Sequence, residues 1–328
     1  MNGGDVIDEH ALRHRIMAQL AEQTLHNGGF VTRAELTSFT IAPGETRRLI
    51  DASRGIWNPK DLSATLSVVS SPHGPYYDRQ VENGLFHYSY RAGSKYGDNT
   101  KLRRACELEL PIILLSKICT GIFVPVFPVY VIADDTAANE FIFALDESLR
   151  FISNPLNPTA DERRYAEQVV RRRLHQPEFR ARVVRAYDTR CAVCGLKIGE
   201  LLDAAHIVPD THPLGQPVVQ NGLSLCKIHH AAFDRNLLGI SSDLEVRLNA
   251  ALLDEIDGPM LRHGLQEMHG RELTLPSRRA DRPDPDRIDL RFHEFLEVEA
   301  RAAHRSDTDE PALDQAQQPP QTPPQEAP

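Results

Sequence analysis

Two spacings, Cys191-Ala-Val-Cys194 and Cys226-Lys-Ile-His229, constrain this chain more than any other feature. The second pair begins 32 residues after the first ends. Each pair sets two soft or borderline donors a knuckle turn apart, and together they supply the four ligands that tetrahedral zinc prefers. Gly195 directly follows the first pair, as such a turn favours. Three of the five cysteines fall in this set. Cys106 and Cys119 lie in apolar surroundings and read as small buried hydrophobes. The implied product is a segment between Arg190 and Asp234 that folds around a structural zinc ion.

Between and after the pairs lie residues with hydrolytic chemistry. Asp203-Ala-Ala-His206-Ile-Val-Pro209 ends a strand-like stretch at His206, and Asn221 precedes a second short strand. His230 and Asp234 stand four apart, so a helix presents both on one face, where they can hold one cation. A histidine, an asparagine and a His/Asp pair make a minimal phosphodiesterase set. One imidazole activates water, an amide orients it, and a divalent cation polarises the phosphate.

The stretch "RCAVCG…LDAAHIVP…NGLSLCKIHHAAFD" resembles the HNH (ββα-metal) nuclease family, in particular the zinc-containing branch of bacterial restriction endonucleases. The resemblance implies that His206 is the general base and Asn221 the residue that orients it. It makes His230 a ligand of the catalytic ion (Mg²⁺, Mn²⁺ or another divalent ion), with Asp234 as a further ligand. Cys191, Cys194, Cys226 and His229 become the structural zinc site. Many relatives carry Asp or His directly before the base, where this chain has Ala205, so Asp203 or water is left to fill that place.

The N-terminal half reads differently. Residues 8–26 carry apolar residues at helical spacing (Leu12, Ile16, Leu20, Leu25), stopped by His26-Asn27-Gly28-Gly29. Thr32 with Glu35 has the form of a capping box for a second short helix, and Glu45 to Ala52 is expected to be helical as well. Strands are expected at Thr65–Val69, Leu85–Tyr90, Ile112–Leu115, Phe123–Val131 and Glu140–Ala144, with a helix over Thr100 to Glu109. Asn154-Pro155-Leu156-Asn157-Pro158 reads as a linker, with Thr159 or Asp161 capping a basic helix after it.

The pattern "GIWNPKDLSATLSVV…PYYD…GLFHYSYRAG…DNTKLRRACELELPIILL…PVFPVYVI" is similar to the N-terminal domains of bacterial HNH restriction enzymes, themselves similar to SRA/PUA modules that read modified bases. On that resemblance Tyr77, Asp78, Tyr88 and Arg91 are candidate base contacts, with core packing as the alternative for the aromatics.

The expected fold is therefore α+β. It comprises a helical entry segment (1–55), a small mixed β-barrel of SRA/PUA type (56–152), a linker (153–160), an HNH domain with its preceding basic helix (161–303), and a disordered tail (304–328).

The formal net charge of −9 argues against a DNA partner only if the charge is evenly spread. It is not. Asp307, Asp309, Glu310, Asp314 and Glu326 crowd the Pro/Gln-rich C-terminus, whereas Arg163 to Lys197 is basic and includes Arg171-Arg172-Arg173. Arg171 and Arg172 are candidate phosphate contacts; a solvated helix face is the plain alternative. The longest apolar stretch, Pro111 to Ala133, is broken by Lys117, Gly121, Pro125 and Pro128, so no membrane partner is expected. The N-terminus has no signal-peptide pattern, and a cytoplasmic location follows as an expectation.

The leading expectation is a modification-dependent restriction endonuclease acting on double-stranded DNA, with a homodimer as one route to double-strand cleavage. A zinc-dependent DNA-binding regulator without nuclease activity, or an HNH nuclease of repair or mobile DNA, are the alternatives.

Overall fold

A computed structural model describes residues 3–71, 84–91 and 97–308. Helix α1 (Gly3–His26) buries Ile16, Met17 and Leu20. It is fixed to the rest by Arg13, which is fully buried, pairs with Glu9 at 2.7 Å and donates to the carbonyls of Ala64, Thr65 and Pro111. A buried guanidinium is tolerated only when its donors are satisfied in this way. Strand β1 (Val31–Thr32) leads into α2 (Arg33–Thr37), and the Thr32/Glu35 capping box forms as the spacing indicates.

Glu45 to Ala52 is not a helix. β2 (Phe39–Ala42) and β3 (Glu45–Arg47) form a hairpin across Pro43-Gly44, with Gly44 at φ 78°. Proline fixes the first corner and glycine takes the left-handed second one, so the chain turns back into a strand at Glu45.

Strands β4 (Ile56–Trp57), β5 (Ser67–Ser70) and β6 (Phe86–Ser89), helix α3 (Asp98–Glu107), and strands β7 (Ile112–Cys119), β8 (Ile122–Asp135) and β9 (Glu140–Ala144) follow. They join in the order β4-β5-β7-β8-β9-β6, with β1 also on β8; β5 and β7 run parallel and the other pairs antiparallel. The first half of β8 pairs with β7 and the second half with β9, and register shifts interrupt both ladders. Such irregularities bend a strand, and here the sheet curls into a half-barrel. Alternation along β7 sends Ile112 and Leu114 to the inner core and Ile113 and Leu115 to the core under α1.

One continuous helical segment then serves two cores. Helix α4 (Ala160–Val170), capped by Thr159 with Glu162, runs through a π-helical stretch (Arg171–His175) into α5 (Gln176–Ala186). Ala166, Val169, Val170 and Leu174 pack into the half-barrel core, whereas Phe179, Val183 and Val184 pack into the second core.

That second core holds β10 (Leu202–His206), β11 (Gly222–Cys226) and α6 (Lys227–Asp234), a ββα unit. β12 (Leu238–Ile240), β13 (Val246–Leu248), α7 (Ala250–Asp254), α8 (Pro259–Gly264) and α9 (Pro285–Thr308) enclose it. Helix α9 continues through 304–308; the rest of the expected disordered tail lies outside the described residues. Among the described residues no helix is long and apolar enough to cross a membrane.

Candidate active site and metal centre

The two ligand pairs meet. Donor atoms of Cys191, Cys194, Cys226 and His229 all lie within 4.8 Å of one another. The knuckle closes through Gly195 N–H to Cys191 O (2.9 Å), with Gly195 at φ 73°, and Ala192 N–H donates to Ser224 O on β11 (2.7 Å). His229 Nδ1 faces the Cys191 and Cys226 sulfurs at 3.5 and 3.1 Å, while Nε2 lies 2.9 Å from Gly264 O. A proton on Nε2 shared with that carbonyl leaves the Nδ1 lone pair for a metal. Burial opposes charge on His229, yet the three sulfurs around Nδ1 outweigh it and favour a positive charge at the point where they converge. Three thiols and an imidazole converging on one point fit zinc.

The hairpin register places His206 opposite Gly222 and Leu202 opposite Cys226. The metal cluster and His206 therefore sit at opposite ends of one short ladder. The imidazole of His206 is half-buried and lies against the ring of Phe179, with centroids 4.1 Å apart. Its Nε2 is buried with no hydrogen-bond partner, so Nδ1 is the nitrogen that can take a proton from solvent. Burial lowers the His206 pKa, with Asp210 opposing and His230 reinforcing.

Asn221 is fully buried. Its Oδ1 accepts from Val208 N–H (2.9 Å), and its Nδ2 donates to Val208 O and Gln216 O (3.0 and 3.2 Å). The amide thus clamps the loop that follows His206, and Ile207 N–H bonds to the Asn221 carbonyl (3.0 Å).

His230 projects from α6 between two carboxylates. Asp203 Oδ2 faces Nδ1 at 3.5 Å and Asp234 Oδ2 faces Nε2 at 3.3 Å. The hydrogen bond to Asp203 raises the His230 pKa against the effect of burial. Asp203 is also met by Lys227 Nζ at 2.5 Å and Arg180 Nε at 3.5 Å. Against the opposing effect of burial, His230, Lys227 and Arg180 hold its carboxyl far below the usual carboxylate range.

Asp203 lies on the far side of the His230 ring from Asp234, already paired with cations, and the Ala205 side chain itself points into the core. His230 Nε2 and Asp234 remain as the donor pair with the right chemistry for a divalent ion. Among the described residues the Cys/His group is the cluster of three or more such donors.

The family model for HNH endonucleases matches residues 191–241. The chain carries an HNH endonuclease domain. It is a hydrolytic nuclease, with the metal-binding Cys/His cluster inside the matched stretch. Among solved structures, one described as a modification-dependent TagI restriction endonuclease is similar at 20% identity and a TM-score of 0.26, over 74% of this chain and 85% of that chain. No curated protein matches the chain.

Outside the HNH domain the candidates scatter. The Tyr88 ring is buried in the half-barrel core and stacked on Phe143 at 5.3 Å, with its hydroxyl 3.3 Å from Gly55 O. Arg91 pairs with Asp98, which also meets Arg54. Tyr77 and Asp78 lie outside the described residues. Arg171 and Arg172 are exposed, pairing loosely with Asp210 (3.7 Å) and Asp146 (3.3 Å). Sequence reading missed Phe179, Arg180 and Lys227. A legible hint was Gly222, a strand glycine whose place opposite His206 leaves room for another ring.

Proposed function

We propose that this chain is a divalent-metal-dependent DNA endonuclease of restriction type, in which the HNH domain cuts and the half-barrel selects. The observation that carries the reading is a half-buried His206 at the end of β10 beside α6, on which His230 and Asp234 pair at 3.3 Å. His206 takes the proton of the attacking water at Nδ1. Asn221 is a positioning residue that holds the loop after the base. Asp203 fixes the His230 ring through Nδ1, leaving Nε2 with Asp234 to hold Mg²⁺, Mn²⁺ or another divalent ion. When bound, that ion supplies charge stabilisation at the scissile phosphate. Zinc at Cys191, Cys194, Cys226 and His229 is structural. Exposed Arg171 and Arg172 suit the phosphate backbone.

In its finer form the reading includes a modified base. The likeness of residues 55–132 to recognition domains of SRA/PUA type supports it, as does the curl of the sheet. We place the boundary between the selecting and cutting units within 171–175, between the two cores. A single site of this kind cuts one strand per event, so double-strand cleavage implies two copies acting together. Plasmid cleavage with and without EDTA, on modified and unmodified DNA, tests the whole reading. Full activity in EDTA, or in a His206→Ala enzyme, would end it.

A further inference from the structure

One side chain outside the matched stretch touches the proposed base directly. Phe179, on α5, lies almost parallel to His206, with centroids 4.1 Å apart and planes inclined by 20°. Among the described residues no hydrogen bond holds either nitrogen of that imidazole, and Nε2 is buried. The second torsion of histidine has broad wells, so without a hydrogen bond the ring plane is set by packing. Phe179 supplies the flat surface.

The contact requires glycine at 222. A Cβ there would come within 2.4 Å of Val183 Cγ2 and 3.0 Å of Phe179 Cζ. Helix α5 is also anchored on either side of the stack. The Ser116 hydroxyl on β7 donates to Glu178, and Arg180 donates to the carbonyls of Gly199 and Leu202 at 3.0 and 2.7 Å. Three consecutive residues, 178–180, thereby attach one turn of helix to the half-barrel, the base and the root of β10.

We propose that Phe179 is a positioning residue for cleavage: its ring fixes the plane of the His206 imidazole, and Glu178 and Arg180 hold that platform in place. The inference rests on His206 being the base. Its consequence is that the half-barrel, through Ser116 and α5, bears on the aim of a catalytic group in the other core. The HNH motif is incomplete without the helix that precedes it.

The test uses the full chain with Phe179→Leu, which keeps apolar volume and removes the flat face, and Phe179→Met as a second variant. The single-turnover rate at saturating DNA should fall about 10- to 100-fold, with half-saturation within about two-fold of wild type, as for loss of orientation without loss of binding. Zinc content should not change. In NMR spectra the carbon-bound ring protons of His206, assigned by their loss in His206→Ala, should move downfield once the shielding face of Phe179 is gone.

A zinc-loaded Phe179→Leu enzyme that cuts at the wild-type rate overturns the proposal. So does loss of zinc and folding in both variants, which would make the ring a core residue only. A His206→Ala enzyme that still cuts brings down the base reading itself. A dead His206→Ala beside a fully active Phe179→Leu brings down only the platform.

Discussion

Asp203 Oδ2 lies 3.5 Å from Nδ1 of His230, on the opposite side of the ring from Asp234. A carboxylate on one imidazole nitrogen fixes the tautomer and turns the other nitrogen outward as a donor to metal. Lys227 and Arg180 in turn keep that carboxylate charged and in place. Asp203→Asn should therefore weaken divalent-ion affinity or cleavage by about 10- to 100-fold while leaving zinc bound. A Mn²⁺ titration of the cleavage rate reads this, and an unmoved midpoint and rate would remove Asp203 from the site.

The pH profile follows from His206. Burial lowers its pKa below the ordinary 6.5, and the base is competent only when neutral. On that reading the acid-side midpoint of cleavage at saturating divalent ion should lie below pH 6.5. The same shift contributes folding stability that is present above 6.5 and lost as the pH drops through the lower folded value. His206→Ala should lose about 10²–10⁴-fold in rate with DNA binding and zinc intact. A rate that breaks well above pH 6.5 would assign the proton transfer to another group.

Asn221→Ala should behave unlike His206→Ala. It strips partners from Val208 N–H, Val208 O and Gln216 O, three contacts by which one buried amide closes the loop between β10 and β11. Each buried group left unsatisfied costs about 1–3 kcal/mol. The expected sign is a lowered unfolding temperature accompanying the lost activity. Lost activity at an unchanged unfolding temperature would instead point to direct contact with water or substrate.

Legibility in the sequence tracked the range of the interaction. The zinc pairs and the Thr32/Glu35 box are spacings of two and three residues, and both come together as read. Most strands of the half-barrel are visible in their alternation, but β8 runs to Asp135 and pairs with three partners, which alternation does not encode. The segment after Gly44 is a strand and not the expected helix because the Pro43-Gly44 turn sets its direction. Phe179 and Arg180 were invisible because only tertiary packing brings α5 onto β10; in sequence they look like any helix before a domain. Tyr88 illustrates the reverse, an aromatic that reads as a candidate contact and stands in the core.

Zinc binding at the Cys/His cluster should be inseparable from folding of the second core. Cys191 and Cys226 are buried beside Leu202 and Leu225, and the knuckle is stitched to β11. Cys226→Ser should release zinc and abolish cleavage, since binding energy at such a site is folding energy. The half-barrel core, which shares none of these residues, should persist as a separate unfolding step. Elemental analysis with calorimetry checks both parts. Protein purified without chelator and free of zinc would end the assignment.

Division of labour between the two cores can be tested by cutting the chain where the cores divide. Ala166, Val169, Val170 and Leu174 belong to the half-barrel core, so a fragment ending at 155 would lack part of its own interior. Residues 1–175 should fold and, on the modified-base reading, favour duplexes carrying one modification. A pocket that holds a flipped base offsets the unstacking cost only for a base it fits. Arg171 and Arg172, which this fragment retains, should give it salt-sensitive affinity that varies little with sequence, and the HNH domain should add to it, because phosphate contacts release counterions. Within the fragment, Arg91→Ala, Tyr77→Ala and Asp78→Ala are the substitutions expected to erase preference. Tyr88→Ala should instead cost stability, about 3–5 kcal/mol for a large buried aromatic, since its ring packs on Phe143. Binding of plain, 5-methylcytosine and 5-hydroxymethylcytosine duplexes at several salt concentrations decides the matter. Equal affinity for all three at every salt concentration would exclude both cytosine modifications as the signal read by the half-barrel and leave the nuclease reading untouched.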